Sequence, residues 1–297
     1  MEVVIMIVVA TPTGQIGQQV LDYIFDSNEA VRVIVRDPSR LSPRMRERVE
    51  VVQGSHDDIA VVTKAFEGAD SVLWLVPPNP QAEDPMNYYL NFTQPACEAI
   101  KSQGVKRVIG VSSLGYDFGS PAGLLSPAFA MDDLIEKTGV NYRSLRMPFF
   151  MENLLHQVNA IKSQGMFYMP NAGDYKLATC ATRDIADAAA KLLLDNNTWT
   201  GQDSVSVVGP DDLSPNDMAR IISQVLERPI RYQQIPSKEY KATMMQYGMS
   251  EAWAQGLIDM AAAQDQGIYN NESRIAQRTP TSFIQWCEEV LKPAFQA

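Results

Sequence analysis

Basic residues are in short supply. The chain of 297 residues has 25 Lys and Arg against 35 Asp and Glu, so its formal charge is 25 − 35 = −10. Nucleic acid and anionic membranes are gripped by clustered cations, and this balance argues against either as a partner. Cysteine is scarce as well. Cys97, Cys180 and Cys287 are odd in number and far apart. No Cys-x-x-Cys or Cys/His spacing points to a metal, so free thiols in a reducing compartment are expected. The apolar start is too short to span a bilayer and follows Glu2 rather than a basic stretch, which argues against a secretory leader. A cytoplasmic location is expected. Composition is otherwise ordinary for a globular protein, with 45% hydrophobic and 20% charged residues. The length suits one large α/β unit or two lobes.

What is present begins at the amino end. A β-branched run over residues 3–10 empties into Thr11-Pro12-Thr13-Gly14-Gln15-Ile16-Gly17, which opens an amphipathic stretch over residues 18–25. Strand, turn and helix in that order place a helix N-terminus, with its unpartnered N–H groups and positive dipole end, where a phosphate can sit. A dinucleotide pyrophosphate fits there, with Thr11, Thr13, Gly14, Gln15 and Ile16 around it. Of the three glycines in the usual fingerprint, Thr11 replaces one. Gly14 can admit phosphate close to the backbone and Gly17 can let the helix pack close to the strand.

Short apolar runs then recur over residues 31–35, 49–52, 71–76, 106–111 and 141–146, rich in Val and Ile as strands buried on both faces are. Helical patterns fall between them, over 14–25, 58–66, 86–103 and 124–137. This alternation predicts an α/β fold, a doubly wound parallel sheet of Rossmann type with a smaller C-terminal lobe. Ligands then bind at the carboxyl ends of the strands. Val76, Pro77, Ser112, Pro148 and Phe149 follow the fourth, fifth and sixth strands and join the expected nucleotide surroundings. The boundary is placed at 154: residues 1–154 bind the dinucleotide, and 155–297 mainly bind substrate while returning strands to the sheet. In that second part a helix is expected over 152–163, a strand over 175–181, a helix over 183–194 capped by Thr182, and a strand over 205–208. Ser214-Pro215-Asn216-Asp217 is a helix start, with a Ser cap and Pro at the first position. A Met-rich helical region over 238–264 follows, where Met244, Met245, Met249 and Met260 are read as core packing.

The second strand chooses the nucleotide. An acid at its end binds the ribose diol of NAD, whereas an Arg accommodates the 2′-phosphate of NADP. Here Val33-Ile34-Val35 ends in Arg36, with Arg40 near and Asp37 keeping NAD possible, so NADP (as NADPH) is expected. At this point the chain resembles an atypical short-chain dehydrogenase/reductase of the NmrA-like group, in its quinone reductase and triphenylmethane reductase branch. The resemblance rests on residues 10–17, on Val35-Arg36-Asp37-Pro38, and on Val105-Lys106-Arg107-Val108-Ile109. It also rests on the Leu145-to-Leu154 segment, where Met147 enters the Arg-Pro step, and on Arg278-Thr279-Pro280-Thr281-Ser282-Phe283. It implies either an NAD(P)H-dependent reductase of quinones, dyes or other conjugated acceptors, or a non-catalytic redox sensor acting through a protein partner.

The larger superfamily moves protons through Tyr-x-x-x-Lys. None of the eleven tyrosines here has Lys four residues on. The remaining catalytic candidates are Ser112 and Ser113 at the end of the fifth strand, Tyr116 just after them, and His156 beyond Phe149-Phe150-Met151. His156 is also read as a surface residue, and His56 as a loop histidine near the adenine. Asp132-Asp133 and Asp211-Asp212 are adjacent and diverge, so no carboxylate pair is assigned. An acceptor that is already electrophilic needs little acid–base help, only positioning against a nicotinamide. The sequence therefore favours hydride transfer to a conjugated small molecule such as a quinone.

Overall fold

The computed structural model describes residues 4–195 and 198–297, so Val3 of the expected first strand lies outside the described residues. The chain opens with β1 (Met6–Val9), α1 (Gln15–Ile24) and β2 (Ala30–Val35). It continues through α2 (Pro43–Arg48), β3 (Glu50–Gln53), α3 (Ile59–Phe66), β4 (Ser71–Trp74), α4 (Pro85–Gln103), β5 (Arg107–Ser113), α5 (Ser126–Glu136) and β6 (Asn141–Met147). Then come β7 (Phe149–Phe150), α6 (Val158–Gln164), β8 (Met166–Met169), β9 (Leu177–Cys180), α7 (Thr182–Leu194) and β10 (Gln202–Ser206). β11 (Asp212–Leu213), α8 (Pro215–Leu226), β12 (Arg231–Gln234), α9 (Ser237–Gln246) and α10 (Glu251–Asp265) follow, with α11 (Asn270–Ile275), α12 (Phe283–Trp286) and α13 (Lys292–Gln296) at the end.

Seven strands form one parallel sheet in the order β10-β6-β5-β4-β1-β2-β3. This is the doubly wound Rossmann arrangement expected from the strand–helix alternation. The strands read as nearly continuous apolar runs because both faces are covered. In β1, Ile7 and Val9 pack with α1 and α7, whereas Val8 joins α3, α4 and α5 on the other face. The order reverses between β1 and β4, which opens a crevice at their carboxyl ends.

The later elements return in part to this sheet. α7 packs beside α1, and β10 adds the seventh strand. A separate core, built on Phe167, Met218, Ile222, Phe283 and Trp286, holds the second lobe together. Small sheets β11-β9-β7 and β12-β8 belong to it.

Several local expectations need correction. The helix expected over 152–163 starts as a 3-10 segment, Met151–Gln157, before α6 begins. The strand expected over 205–208 sits three residues earlier as β10. Thr182 is not the cap of α7: Ala181 takes that position with no side-chain bond. The Thr182 N–H instead donates to Glu152 Oε2 at 3.0 Å. The Met-rich region is two helices, broken where Gly248 adopts φ +90°, a conformation that glycine reaches without strain. The Ser214 start holds as a capping box, with Ser214 Oγ accepting from the Asp217 N–H and the Asp217 carboxylate accepting from the Ser214 N–H.

Candidate nucleotide and acceptor site

A cavity of about 1470 Å³ lies at the carboxyl ends of β1, β2, β4, β5 and β6, with α9 and α10 on its far side. Its floor starts at the N-terminus of α1. Gly14 holds the cap position and brings no side chain to satisfy the first helical N–H groups. Those groups and the helix dipole are left for an anion. Beside them Thr11 Oγ1 is buried without a hydrogen-bond partner. The helix can lie this close to the turn only because residue 17 is glycine. A Cβ there would sit 1.9 Å from Thr11 O and 2.7 Å from Thr11 C. An orphaned hydroxyl, an uncapped helix and a close backbone crossing all fit a pyrophosphate cradle.

All the residues expected around a nucleotide line this one cavity: Thr11, Thr13, Gly14, Gln15, Ile16, Arg36, Val76, Pro77, Ser112, Pro148 and Phe149. At the β2 end, Arg36 and Asp37 are both exposed. Their side chains differ in freedom. Asp37 Oδ1 accepts from the Ser39 N–H at 3.0 Å and the Ser39 hydroxyl at 2.7 Å, capping the turn Pro38–Arg40. Those bonds hold its carboxyl below the ordinary value. The Arg36 guanidinium has no ion pair within 4.0 Å among the described residues.

His56 also lines the cavity and is 9% exposed. Its ring meets Phe92 and Trp74 edge-on, at centroid distances of 4.5 and 5.3 Å. Nε2 lies 3.3 Å from Leu75 O, so the neutral ring carries its proton there and donates it. Burial holds the imidazole down at about 4. It sits in the turn between β3 and α3, the loop position expected from sequence, and is built into the cavity wall. The unfolded chain binds this proton near 6.5 and the folded chain only near 4. The stability contribution is therefore complete above about pH 6.5 and is lost as pH falls through 4. Its size is on the order of 3 kcal/mol. Urea unfolding between pH 7 and pH 4 should show the parent losing more stability than His56→Gln by about that amount. Parallel losses would contradict the assignment.

Ser112 and Ser113 line the middle of the cavity. Ser112 Oγ is buried with no partner at hydrogen-bond geometry, although the buried Asp132 carboxylate is close enough to feel it. Ser113 Oγ donates towards Leu114 O and Met147 O. Tyr116 lies outside the cavity. Its hydroxyl donates to Asp133, which lifts the phenol to about 12, and the Arg146 guanidinium covers its ring. The two adjacent acids diverge as expected. Asp133 faces outwards, while Asp132 accepts from Tyr142 at 2.6 Å and Ser144 at 2.8 Å in the core. His156 is exposed yet reaches the cavity rim, so both sequence readings of it meet in one position.

The segment from Pro148 to Leu154 is fixed by Glu152. This buried carboxylate accepts from the Thr182 N–H at one oxygen and from Trp286 Nε1 at the other. The clamp ties the floor below Phe149 to α7 and α12. The C-terminal Arg278-to-Phe283 segment is anchored similarly, with Arg278 bidentate on Asp212 and Thr281 held by Asp184.

The far wall was read wrongly from sequence. Met244, Met249 and Met260 line the cavity, and Met245 is exposed, so none of the four is plain core packing. Helical spacing cannot separate a core stripe from a cavity wall, because both are apolar. Trp253, Leu257, Tyr269, Asn171 and Gln264 complete this wall and had no sequence signal beyond their chemistry.

The NmrA-like family matches residues 5–289. The chain belongs to the NmrA-like family. An NAD(P)H azoreductase of Xenophilus azovorans is 25% identical over 95% of this chain and 97% of its own. Quinone oxidoreductase 2 of Escherichia coli is 25% identical, over 88% of this chain and 87% of its own. Among solved structures, an NADPH-dependent quinone oxidoreductase from Escherichia coli complexed with NADPH superposes with a TM-score of 0.80. It is 22% identical, over 96% of this chain and 100% of that one. At that identity the superposition speaks for the shared fold.

Proposed function

We propose that this chain is an NADPH-dependent reductase that passes hydride to a conjugated small molecule, most simply a quinone. The observation that carries this reading is the cavity itself. It runs unbroken from the α1 N-terminus and Arg36, past Ser112 and Phe149, into an apolar chamber walled by Met249, Trp253 and Met260. A pocket for one small ligand occupies roughly 300–1,000 Å³, so about 1470 Å³ leaves room for a second beside the nucleotide. The names of the reductase relatives agree with this reading.

The residues divide the work. The α1 N–H groups and Thr11 would hold the pyrophosphate, Arg36 the 2′-phosphate, and His56 with Val76 the adenosine side. Ser112, Pro148 and Phe149 would orient the nicotinamide, which supplies the hydride when bound. In this reading residues 1–154 bind the nucleotide and residues 155–297 mainly bind the acceptor. The wall is largely apolar and no Tyr-x-x-x-Lys pair is present, so catalysis is chiefly alignment of the acceptor against the nicotinamide. Cytoplasmic work, where NADPH is available, suits three free buried cysteines.

Anaerobic NADPH oxidation should be followed with a panel of quinones, cationic triphenylmethane dyes, azo compounds and imines. Turnover with at least one class is expected. NADPH binding without turnover on any of them would overturn the enzyme reading and favour a nucleotide sensor acting on a protein partner.

A further inference from the structure

The apolar wall of the chamber contains one built polar chain. Asn171, Gln264 and Tyr269 are 2%, 4% and 4% exposed and all three line the cavity. The direction of this chain is fixed from its far end. Asn171 Nδ2 lies near three acceptors, Ala261 O, Gln264 Oε1 and Asp265 Oδ1, at 3.3, 3.0 and 3.2 Å. Asp265 is itself held by the Ala172 N–H at 2.8 Å. Three acceptors can only be served by an amide nitrogen, so Asn171 is the donor and Gln264 Oε1 the acceptor. The Gln264 amide nitrogen must then face the other way, and it donates to Tyr269 Oη at 2.9 Å. Tyr269 Oη is thereby committed as an acceptor, and its own proton remains to be given. Ser113 Oγ turns its own proton to Leu114 O and Met147 O and makes no hydrogen bond of good geometry to the phenol, and Ser113 lies at the end of β5, where the nicotinamide is placed. Burial pushes the phenol up to about 12, so it is neutral at physiological pH and a donor throughout.

We infer that Tyr269, oriented by Gln264 and Asn171, donates a hydrogen bond to the acceptor's oxygen and stabilises the oxyanion that forms on hydride arrival. The inference rests on the reductase reading and names the chemical class of acceptor: one whose reduction places negative charge on oxygen, as in a quinone or enone. The step balances simply. The acceptor gains a hydride, two electrons with one proton, as NADPH becomes NADP+. The oxyanion then takes a proton from water, while Tyr269 keeps its own. A donor already held in place where charge develops acts mainly on the transition state. Tyr269 stands at the start of α11, far in sequence from Ser112 and Ser113 at the end of β5.

Tyr269→Phe keeps the ring and removes only the donor. Turnover of a quinone should fall at least roughly tenfold in kcat. Turnover of a cationic triphenylmethane dye, where hydride neutralises a carbocation and no oxyanion forms, should stay within about twofold. Equal loss on both would show that Tyr269 merely supports the wall, and would overturn the inference. A second readout does not depend on turnover. The NADP+-loaded protein should bind 4-nitrophenolate, a stable aryl oxyanion, about tenfold more tightly than Tyr269→Phe does, with NADPH affinity equal in the two proteins. Should the parent reduce nothing, the reductase reading falls, and this binding comparison still decides the donor role. Equal nitrophenolate affinities, or no binding by the parent, would overturn it.

Discussion

Replacing Gly17 with alanine should weaken NADPH binding by at least roughly a hundredfold. The new Cβ would lie 1.9 Å from Thr11 O and 2.7 Å from Thr11 C. Both are backbone atoms of the turn, so no side-chain rotation relieves the overlap. Either α1 moves off β1 or the turn refolds, and in both cases the free N–H groups leave the phosphate position. Losing two charge-assisted hydrogen bonds costs about 3–6 kcal/mol, which is roughly a hundredfold or more in affinity. Overpacking adds about 1–3 kcal/mol of lost stability. Titration calorimetry and thermal unfolding on the same preparation separate the two effects. A folded Gly17→Ala variant that binds NADPH within tenfold of the parent would show that α1 is not the phosphate site. Gly14 is the contrasting case. A Cβ there would meet Thr11 O at an ordinary 3.7 Å, so the fold alone does not demand glycine at that position.

Arg36→Ala should weaken NADPH binding by about tenfold to a hundredfold and leave NADH affinity nearly unchanged. A charge-assisted contact to the 2′-phosphate contributes on the order of 1.5–3 kcal/mol, and NADH has no phosphate there to lose. The rival for this position is Asp37, which could bind the ribose diol only by releasing the Ser39 amide and hydroxyl that now occupy it. Asp37→Ala should therefore change NADH affinity little while loosening the turn Pro38–Arg40. Dissociation constants for both nucleotides on both variants distinguish the cases. Equal losses for NADPH and NADH in Arg36→Ala, or a parent that prefers NADH, would contradict the assignment.

The strand-end side of the cavity was legible because its information is local. Buried parallel strands read as continuous apolar runs, and the residues after each strand end must face the crevice. Thr11 to Gly17, Arg36, Ser112 and Phe149 could therefore be placed without coordinates. The far side was less so, because its information is long-range. β12 reads Arg-Tyr-Gln-Gln and is a strand only because it pairs with β8, some 65 residues earlier in register. α2 has one buried residue, Met45, in six, so no apolar period announces it, although Ser42-Pro43 is a usable start signal. The break between α9 and α10 could have been read at Gly248. The turn of Met244, Met249 and Met260 towards a cavity could not, since a methionine facing a chamber and one facing a core look alike in sequence. Tyr269 was passed over because the search for an acid followed the Tyr-x-x-x-Lys spacing. Its partners Gln264 and Asn171 are assembled by the fold. His56 was underrated for a similar reason: the aromatic box around it comes from β4 and α4.

In the proposed reading one cavity seats a dinucleotide along the strand ends and an acceptor beyond it. A crystal structure of the protein with NADPH tests this most directly. The expected density has the pyrophosphate on the N–H groups of Gln15 and Ile16 and the 2′-phosphate on Arg36. The nicotinamide should lie between Ser112 and Phe149, with open space remaining towards Trp253 and Tyr269. A nicotinamide that fills that space, or a pyrophosphate bound away from α1, would contradict the account.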